Sequence, residues 1–326
     1  MCSWTNCVAS PGSSGGTCED RCGTTHRGSI GRVVERQPVI GRLAILGVGL
    51  IGGSLARALR AAGAVGEVAG CGRSQANLRK ALELGVIDHA EASAADAVRG
   101  ADMVVLALPV GSMASTFAQI APHLGPRTVV TDVGSVKGSI VNAARAALGA
   151  HFVQFVPAHP IAGTEKSGVT ASFAGLFRGR RVVLTPLPET DTSAIAQVQA
   201  MWQATGAQTV AMDVAHHDEI LAATSHLPHL LAFCLVDALC TMDDSRVIFD
   251  FAGGGFRDFT RIAASDPVMW RDICLANRTA VLAALRQYRQ DLDALAQAIE
   301  RGDGAWLETL FTRARHEREA LDRDRD

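Results

Sequence analysis

The feature that most constrains this chain is Gly47-x-Gly49-x-x-Gly52, set between the apolar run Arg42-Leu43-Ala44-Ile45-Leu46 and an alanine- and leucine-rich stretch, Ile51 to Ala62. A glycine turn that ends a strand and opens a helix does three separate things. The first glycine permits the tight turn, the second lets the backbone approach a pyrophosphate, and the third lets helix pack on strand. The helix N-terminus adds free amides and partial positive charge. Gly47, Gly49, Leu50, Ile51 and Gly52 are therefore read as a dinucleotide cradle, against the alternative of a tight turn without a ligand.

The alternation continues downstream. Gly63 suits the end of the first helix, and Glu67 to Cys71 reads as a second strand. Helix Gln75–Leu84, strand Met103–Leu108, helix Ser112–Leu124, strand Thr128–Val133, helix Gly138–Leu148 and strand Phe152–Pro157 follow. Arg181–Leu184 and Gln208–Met212 read as two more strands. Strands alternating with helices of this length predict an α/β architecture: a Rossmann-type, doubly wound, mostly parallel sheet over residues 39–213. Right-handed crossovers put the loops after the strands on one edge, so Pro109, Gly134 and His159 should line the same crevice.

After Asp213 the strand signals stop. Val214 to Leu239 reads as a long helix kinked at Pro228, which lacks a backbone donor. Leu285, Tyr288, Leu292, Leu295 and Ile299 are spaced by three and four, so two long helices should pack through that seam. Gly302 to Gly304 breaks the pattern before a last helix, Ala305 to Leu321. Residues 214–326 are thus expected to be an all-helical domain.

A length of 326 residues accommodates both domains, and a net charge of −2 offers no basic face for nucleic acid. The most apolar stretch, Ile220 to Leu239, contains Ser225, His226, His229 and Asp237, which is too polar for a membrane span and fits a buried helix. Residues 1–38 are rich in Gly, Ser, Thr and Pro and read as a disordered tail. Its Cys2-x4-Cys7 and Cys18-x3-Cys22 fit zinc pairs loosely, and it lacks the basic start and apolar core of a secretory signal. Cys71, Cys234, Cys240 and Cys274 read as reduced core thiols, which places the chain in the cytoplasm.

The second strand ends Cys71-Gly72-Arg73-Ser74 without the acid that usually bonds a ribose diol, and Glu67 is at the wrong end. Arg73 and Ser74 are placed to receive a 2′-phosphate, which favours NADP over NAD. In Thr131-Asp132-Val133-Gly134-Ser135-Val136-Lys137-Gly138, Ser135 either caps the next helix or points into the crevice. Lys137 reads as a surface or phosphate-facing residue. His159, fixed by Pro160, is the strongest acid/base candidate, because histidine titrates near neutrality and removes a hydroxyl proton as hydride leaves the same carbon. His216, His217, Ser225, His226 and His229 crowd a short stretch near Asp218. No pair of these histidines has the i, i+4 spacing of a helical zinc site, so they read as a polar pocket wall, with no metal. Arg257 and Arg261, four residues apart after Gly253-Gly254-Gly255, are placed to grip carboxylates.

Together these pieces resemble the prephenate/arogenate (cyclohexadienyl) dehydrogenase family of tyrosine biosynthesis. The match runs in order through Gly47-Val48-Gly49-Leu50-Ile51-Gly52-Gly53-Ser54, Asp132-x-Gly134-Ser135-Val136-Lys137 and His159-Pro160-x-Ala162-Gly163-x-Glu165. It continues with Ser225-His226-Leu227-Pro228-His229, Gly254-Gly255-Phe256-Arg257-Asp258-x-Thr260-Arg261 and Asp266-Pro267-x-Met269-Trp270. The resemblance implies an NAD(P)-dependent oxidative decarboxylation in which His159 takes the ring hydroxyl proton and Ser135 orients hydroxyl and base. It implies that Arg261 binds a substrate carboxylate, with His229, Ser225, His226, Arg257 and Glu165 around it. A homodimer through the helical domain is implied too, with Asp258 and Trp270 approaching the partner's site.

Two rival readings make different demands on the sequence. A β-hydroxyacid dehydrogenase would rely on a lysine in the helical domain, and residues 214–326 contain none. A non-catalytic nucleotide sensor would need the glycine turn but not His159, Ser135 and Arg261 together.

Overall fold

The computed structural model describes residues 38–164 and 166–323. The expected tail with its four cysteines, and Glu165, lie outside the described residues. The first part runs β1 (Ile40–Leu46), α1 (Leu50–Ala61), β2 (Val65–Cys71), α2 (Gln75–Glu83), β3 (His89–Ala90), α3 (Ala94–Val98) and β4 (Met103–Leu106). It continues α4 (Met113–Ile120), β5 (Val129–Asp132), α5 (Gly138–Leu148) and β6 (Phe155–Val156). These strands pair in parallel in the order β3-β2-β1-β4-β5-β6. The order reverses between β1 and β4, and the crevice at that switch point receives the turns after both strands.

The sheet is apolar on both faces because helices cover both. Leu43 and Ile45 of β1 join Leu55 and Leu59 of α1 in one core. Their neighbours Ala44 and Leu46 point the other way, to Phe117 of α4 and Ile140 of α5.

The strand expected at Phe152–Pro157 is shorter and does something else. A 3-10 turn occupies Gly149–Gln154, β6 is two residues long, and the chain then leaves the sheet. Pro157 has no N–H to continue the ladder. The next residues form β7 (Ala158–Pro160), antiparallel to β8 (Arg181–Leu184), which pairs in parallel with β9 (Gln208–Ala211) across helix α6 (Thr192–Ala204). The last two strands therefore build a separate three-stranded sheet rather than extending the first. His159 sits within β7, opposite Val183, not on a loop after a strand.

The helical part comprises α7 (Val214–Leu221), a π-turn at Ala222–His226, α8 (Leu227–Cys240), α9 (Ser245–Asp250) and α10 (Gly254–Thr260). Then come α11 (Pro267–Ala276), α12 (Arg278–Glu300) and α13 (Gly304–Arg323). At Pro228 the expected kink takes the form of that wider turn. A proline ring crowds the carbonyl four residues back, and a π-turn makes room for it.

Three expectations of burial are corrected. In α8 only Ala232 is buried. Along α12, Leu292 and Ile299 are 45% and 61% exposed while Tyr288 and Leu295 are half-buried, so part of the apolar seam is uncovered within one chain. The four described cysteines are free thiols, but Cys234 and Cys240 are exposed and none is a core residue.

Candidate active site

The glycine turn divides its labour by position. Gly47 has φ +101°, and a Cβ there would stand 2.2 Å from the Ala107 carbonyl oxygen. A Cβ on Gly52 would stand 2.3 Å from the Gly47 oxygen. Gly49 differs, since nothing lies within 4 Å of its added Cβ. Two glycines are thus required by the fold, while the middle one keeps open the face a pyrophosphate would occupy. The first helical bond runs from Gly53 N–H to the Gly49 oxygen (2.9 Å), leaving the amides of Leu50, Ile51 and Gly52 for a ligand. The first turn of α1 carries no acid to repel an anion. The cradle therefore fits a dinucleotide phosphate.

A second tie to this cradle was not legible in the sequence. Asn77 on α2 donates from Nδ2 to the Val48 oxygen (2.7 Å) and accepts at Oδ1 from Val169 N–H (3.0 Å). Phe173 N–H donates to Ser54 Oγ (3.1 Å). The segment that follows β7 is thereby laced onto the nucleotide turn. At the end of β2, Arg73 is exposed and Ser74 caps α2 by accepting Asn77 N–H (3.2 Å).

Lys137 is not a surface residue. It is fully buried, its Nζ 2.5 Å from Asp132 Oδ2 and 2.6 Å from the Ala158 oxygen. Burial pulls its pKa down, against the opposing pull of Asp132. Asp132, equally buried, also accepts Gly134 N–H (2.7 Å) and Ala158 N–H (3.2 Å). Charge alternating inside a dry site is stable only when every lone pair is used in this way.

Nor does Ser135 cap α5. That helix is capped by Asp218 of α7, whose Oδ1 accepts Lys137 N–H and whose Oδ2 accepts Gly138 N–H, each at 2.8 Å. Ser135 stays half-buried on the same loop, with its hydroxyl left over from capping.

His159 is buried, and its Nδ1 lies 2.9 Å from His217 Nε2 with the rings edge to face. His217 Nδ1 lies 2.8 Å from Asp218 Oδ1. Burial first, then the charges of Lys137, His217 and His226, holds the His159 pKa well below its ordinary value. The ring is therefore neutral, and ready to accept a proton, at neutral pH. The sequence reading placed His217 and Asp218 only in a polar wall. Their adjacency at the start of α7 gave no sign of a partner 58 residues upstream.

The remaining candidates separate. His226 is not an open pocket residue: it is fully buried, its Nδ1 3.2 Å from Asn277 Nδ2, and burial lowers its pKa to about 4. His229 stacks on Trp270 at 3.7 Å and 21°, and its Nδ1–H donates to the Ser225 oxygen (2.8 Å). Burial lowers the His229 pKa, the Ser225 carbonyl opposes, and the nearby Arg261 charge lowers it further. Arg261 and His229 are thus brought together. Trp270, expected to reach a partner's site, is 8% exposed and packs with Val136 and Ile273 of its own chain. Arg257 Nε donates back to the Ala252 oxygen (3.2 Å), and Asp258 is exposed.

Comparison with known proteins agrees with this geometry. Residues 55–211 match the family described as prephenate dehydrogenase, nucleotide-binding domain, and residues 213–313 match prephenate dehydrogenase, dimerization domain. The chain is 39% identical over 290 residues to a cyclohexadienyl dehydrogenase of Zymomonas mobilis, covering 88% of this chain and 98% of that protein. It superposes on Aquifex aeolicus prephenate dehydrogenase in complex with hydroxyphenyl propionate and NAD+ with a TM-score of 0.81 at 38% identity, covering 86% and 98% of the two chains. Synechocystis arogenate dehydrogenase gives a TM-score of 0.73 at 30% identity, covering 86% and 99%. A nucleotide turn, a neutral buried histidine and an arginine-histidine pair, arranged on a fold shared over nearly the full length of these proteins, place the chain in the prephenate dehydrogenase family.

Proposed function

We propose that this protein is an NAD(P)-dependent dehydrogenase that oxidatively decarboxylates prephenate, arogenate or both, on the route to tyrosine. The observation that carries the reading is His159: buried, neutral, and bonded through Nδ1 to His217 so that its other nitrogen is left for substrate. A bound nicotinamide supplies the hydride acceptor for the ring carbon that bears the hydroxyl. His159 takes the hydroxyl proton as that carbon is oxidised, with Ser135 orienting the hydroxyl. Arg261, beside His229, grips a substrate carboxylate, and Ser225 lines the same wall. Loss of the ring carboxylate as carbon dioxide restores an aromatic ring, so the protein's task is mainly positioning.

The end of β2 favours NADP+, since Arg73 is exposed there and no carboxylate ends the strand. The uncovered apolar seam of α12 supports a homodimer through the helical part, with Asp258 reaching the partner's site. The cytoplasm is the compartment that fits these substrates and free thiols. No observation favours a β-hydroxyacid dehydrogenase or a nucleotide sensor.

The test is reduced-nicotinamide absorbance with each of the two substrates against each of the two cofactors. Turnover in at least one combination, lost by orders of magnitude in His159→Asn with nucleotide binding kept, is the expected result. No turnover in any combination overturns the reading.

A further inference from the structure

Asp218 does two jobs with one carboxylate. Its Oδ1 takes hydrogen bonds from the His217 ring (2.8 Å) and from Lys137 N–H (2.8 Å), and its Oδ2 takes Gly138 N–H (2.8 Å). Burial pushes its pKa up, but the hydrogen bonds from His217, Lys137 and Gly138 win and hold it below the usual range. An ionised carboxylate only accepts. His217 must therefore carry its ring proton on Nδ1 and present a bare Nε2. That nitrogen is 2.9 Å from His159 Nδ1, so His159 must be the donor there. A neutral imidazole has a single N–H, which leaves His159 Nε2 bare. Among the described residues, no protein hydrogen bond is made by that nitrogen.

We propose that His217 and Asp218 are positioning residues that lock the tautomer of His159, and that the same carboxylate, by capping α5, registers the Ser135 loop against that base. The inference rests on His159 being the base. Its physical content is directional. With no anion behind it, His217 would hold its proton on either nitrogen. An Nε2–H on His217 would force His159 to accept at Nδ1 and to carry its own proton on Nε2. In that form His159 cannot take a proton from substrate. When the correct tautomer does take one, the His159 Nδ1–H bond becomes charge-assisted and the Asp218 charge lies one ring away. The other charged or titratable groups facing His159 are Lys137, from the turn after β5, and His226, from the π-turn. Both repel the imidazolium, as His217 does when charged, so the favourable contact is the one made by neutral His217, accepting at Nε2 with its own proton held by Asp218.

Two variants separate this from a packing role. His217→Phe keeps a ring of similar size but offers no acceptor, whereas His217→Gln restores an acceptor near the Nε2 position. In the full-length enzyme, kcat of His217→Phe is expected to fall about 100-fold or more, the scale of a mispositioned general base. KM values for substrate and cofactor should stay within about threefold, because neither is bound by this residue. His217→Gln should recover about tenfold or more of the lost rate, and its pH profile should return toward wild type. Asp218→Asn puts an amide N–H against a backbone N–H, so it should lose rate and melt earlier. Ring nitrogen NMR, with His159 assigned through His159→Asn, reads the tautomer directly: Nδ1–H in wild type, mixed or Nε2–H in Asp218→Asn.

A His217→Phe loss smaller than about tenfold, or Gln no better than Phe, overturns the proposal. So does wild-type His159 protonated on Nε2. The NMR result needs no substrate. Failure of the dehydrogenase reading, seen as no wild-type turnover, is therefore distinguishable from failure of the relay.

Discussion

Lys137 and Asp132, both fully enclosed, form an ion pair whose ammonium also donates to the carbonyl of Ala158, the residue before His159. The backbone of the base is thus held from β5 by one buried lysine. Lys137→Met would leave Asp132 inside with no counter-charge, and breaking a buried pair from one side costs about 3–5 kcal/mol. The denaturant midpoint should fall accordingly. Removing both charges, in Lys137→Met with Asp132→Asn, should cost less than Lys137→Met alone. A Lys137→Met variant within about 1 kcal/mol of wild type would show that the pair is not what holds this corner.

The glycine turn makes opposite demands at neighbouring positions. Gly49→Ala adds a methyl into open space at φ −100°, so the fold should tolerate it. The same methyl stands where a pyrophosphate must approach, and nucleotide affinity should drop about tenfold or more, roughly 1.4 kcal/mol. Gly47→Ala meets both a left-handed φ and the Ala107 carbonyl, and should unfold the turn itself. Thermal melts and calorimetric titration of both variants give the comparison. Equal nucleotide affinity in Gly49→Ala and wild type would remove this face from the cofactor site.

Acid sensitivity follows from His226. Its folded pKa is about 4 against 6.5 for the free side chain, with burial the main cause. The unfolded chain therefore binds a proton that the folded one refuses. His226 costs nothing above about pH 6.5, and stability is lost as pH falls toward about 4, by about 3 kcal/mol in all. His159 and His229 are shifted the same way and add to the slope. His226→Asn keeps an acceptor near Asn277 and should flatten the pH dependence between pH 7 and 4. Urea midpoints at several pH values, wild type against variant, isolate the contribution. Parallel curves would rule His226 out as its source.

What the sequence made legible was whatever depends on local pattern. The glycine turn, the parallel alternation through α5 and the helical second part all follow from period and punctuation, and each is present as expected. The failures share a cause as well. The Asp132–Lys137 pair looked like ordinary polar residues near a helix start, because burial is a property of the packed chain. Asp218 capping α5 joins residues 80 apart, and nothing local announces such a cap. β3 has two residues and α3 five, too short for periodicity to register. The stacking of Trp270 on His229 spans 41 residues, and no local pattern announces that contact either.

The uncovered seam supports the last prediction. Leu292 and Ile299, seven residues apart on one face of α12, are among the exposed apolar side chains, and Phe311 of α13 is 58% exposed. Apolar surface of this kind in a folded chain calls for a partner. If a second copy covers it, Leu292→Glu with Ile299→Glu places two carboxylates at the junction without disturbing the monomer, since both positions face solvent there. Wild type should sediment at twice the chain mass and the double variant at once, with unchanged circular dichroism. Nucleotide binding should survive in the monomer, because the glycine turn is complete within one chain. Turnover should fall as well under the proposal that Asp258 contributes to the neighbouring site. A double variant that remains dimeric at micromolar concentration would move the interface to a different face.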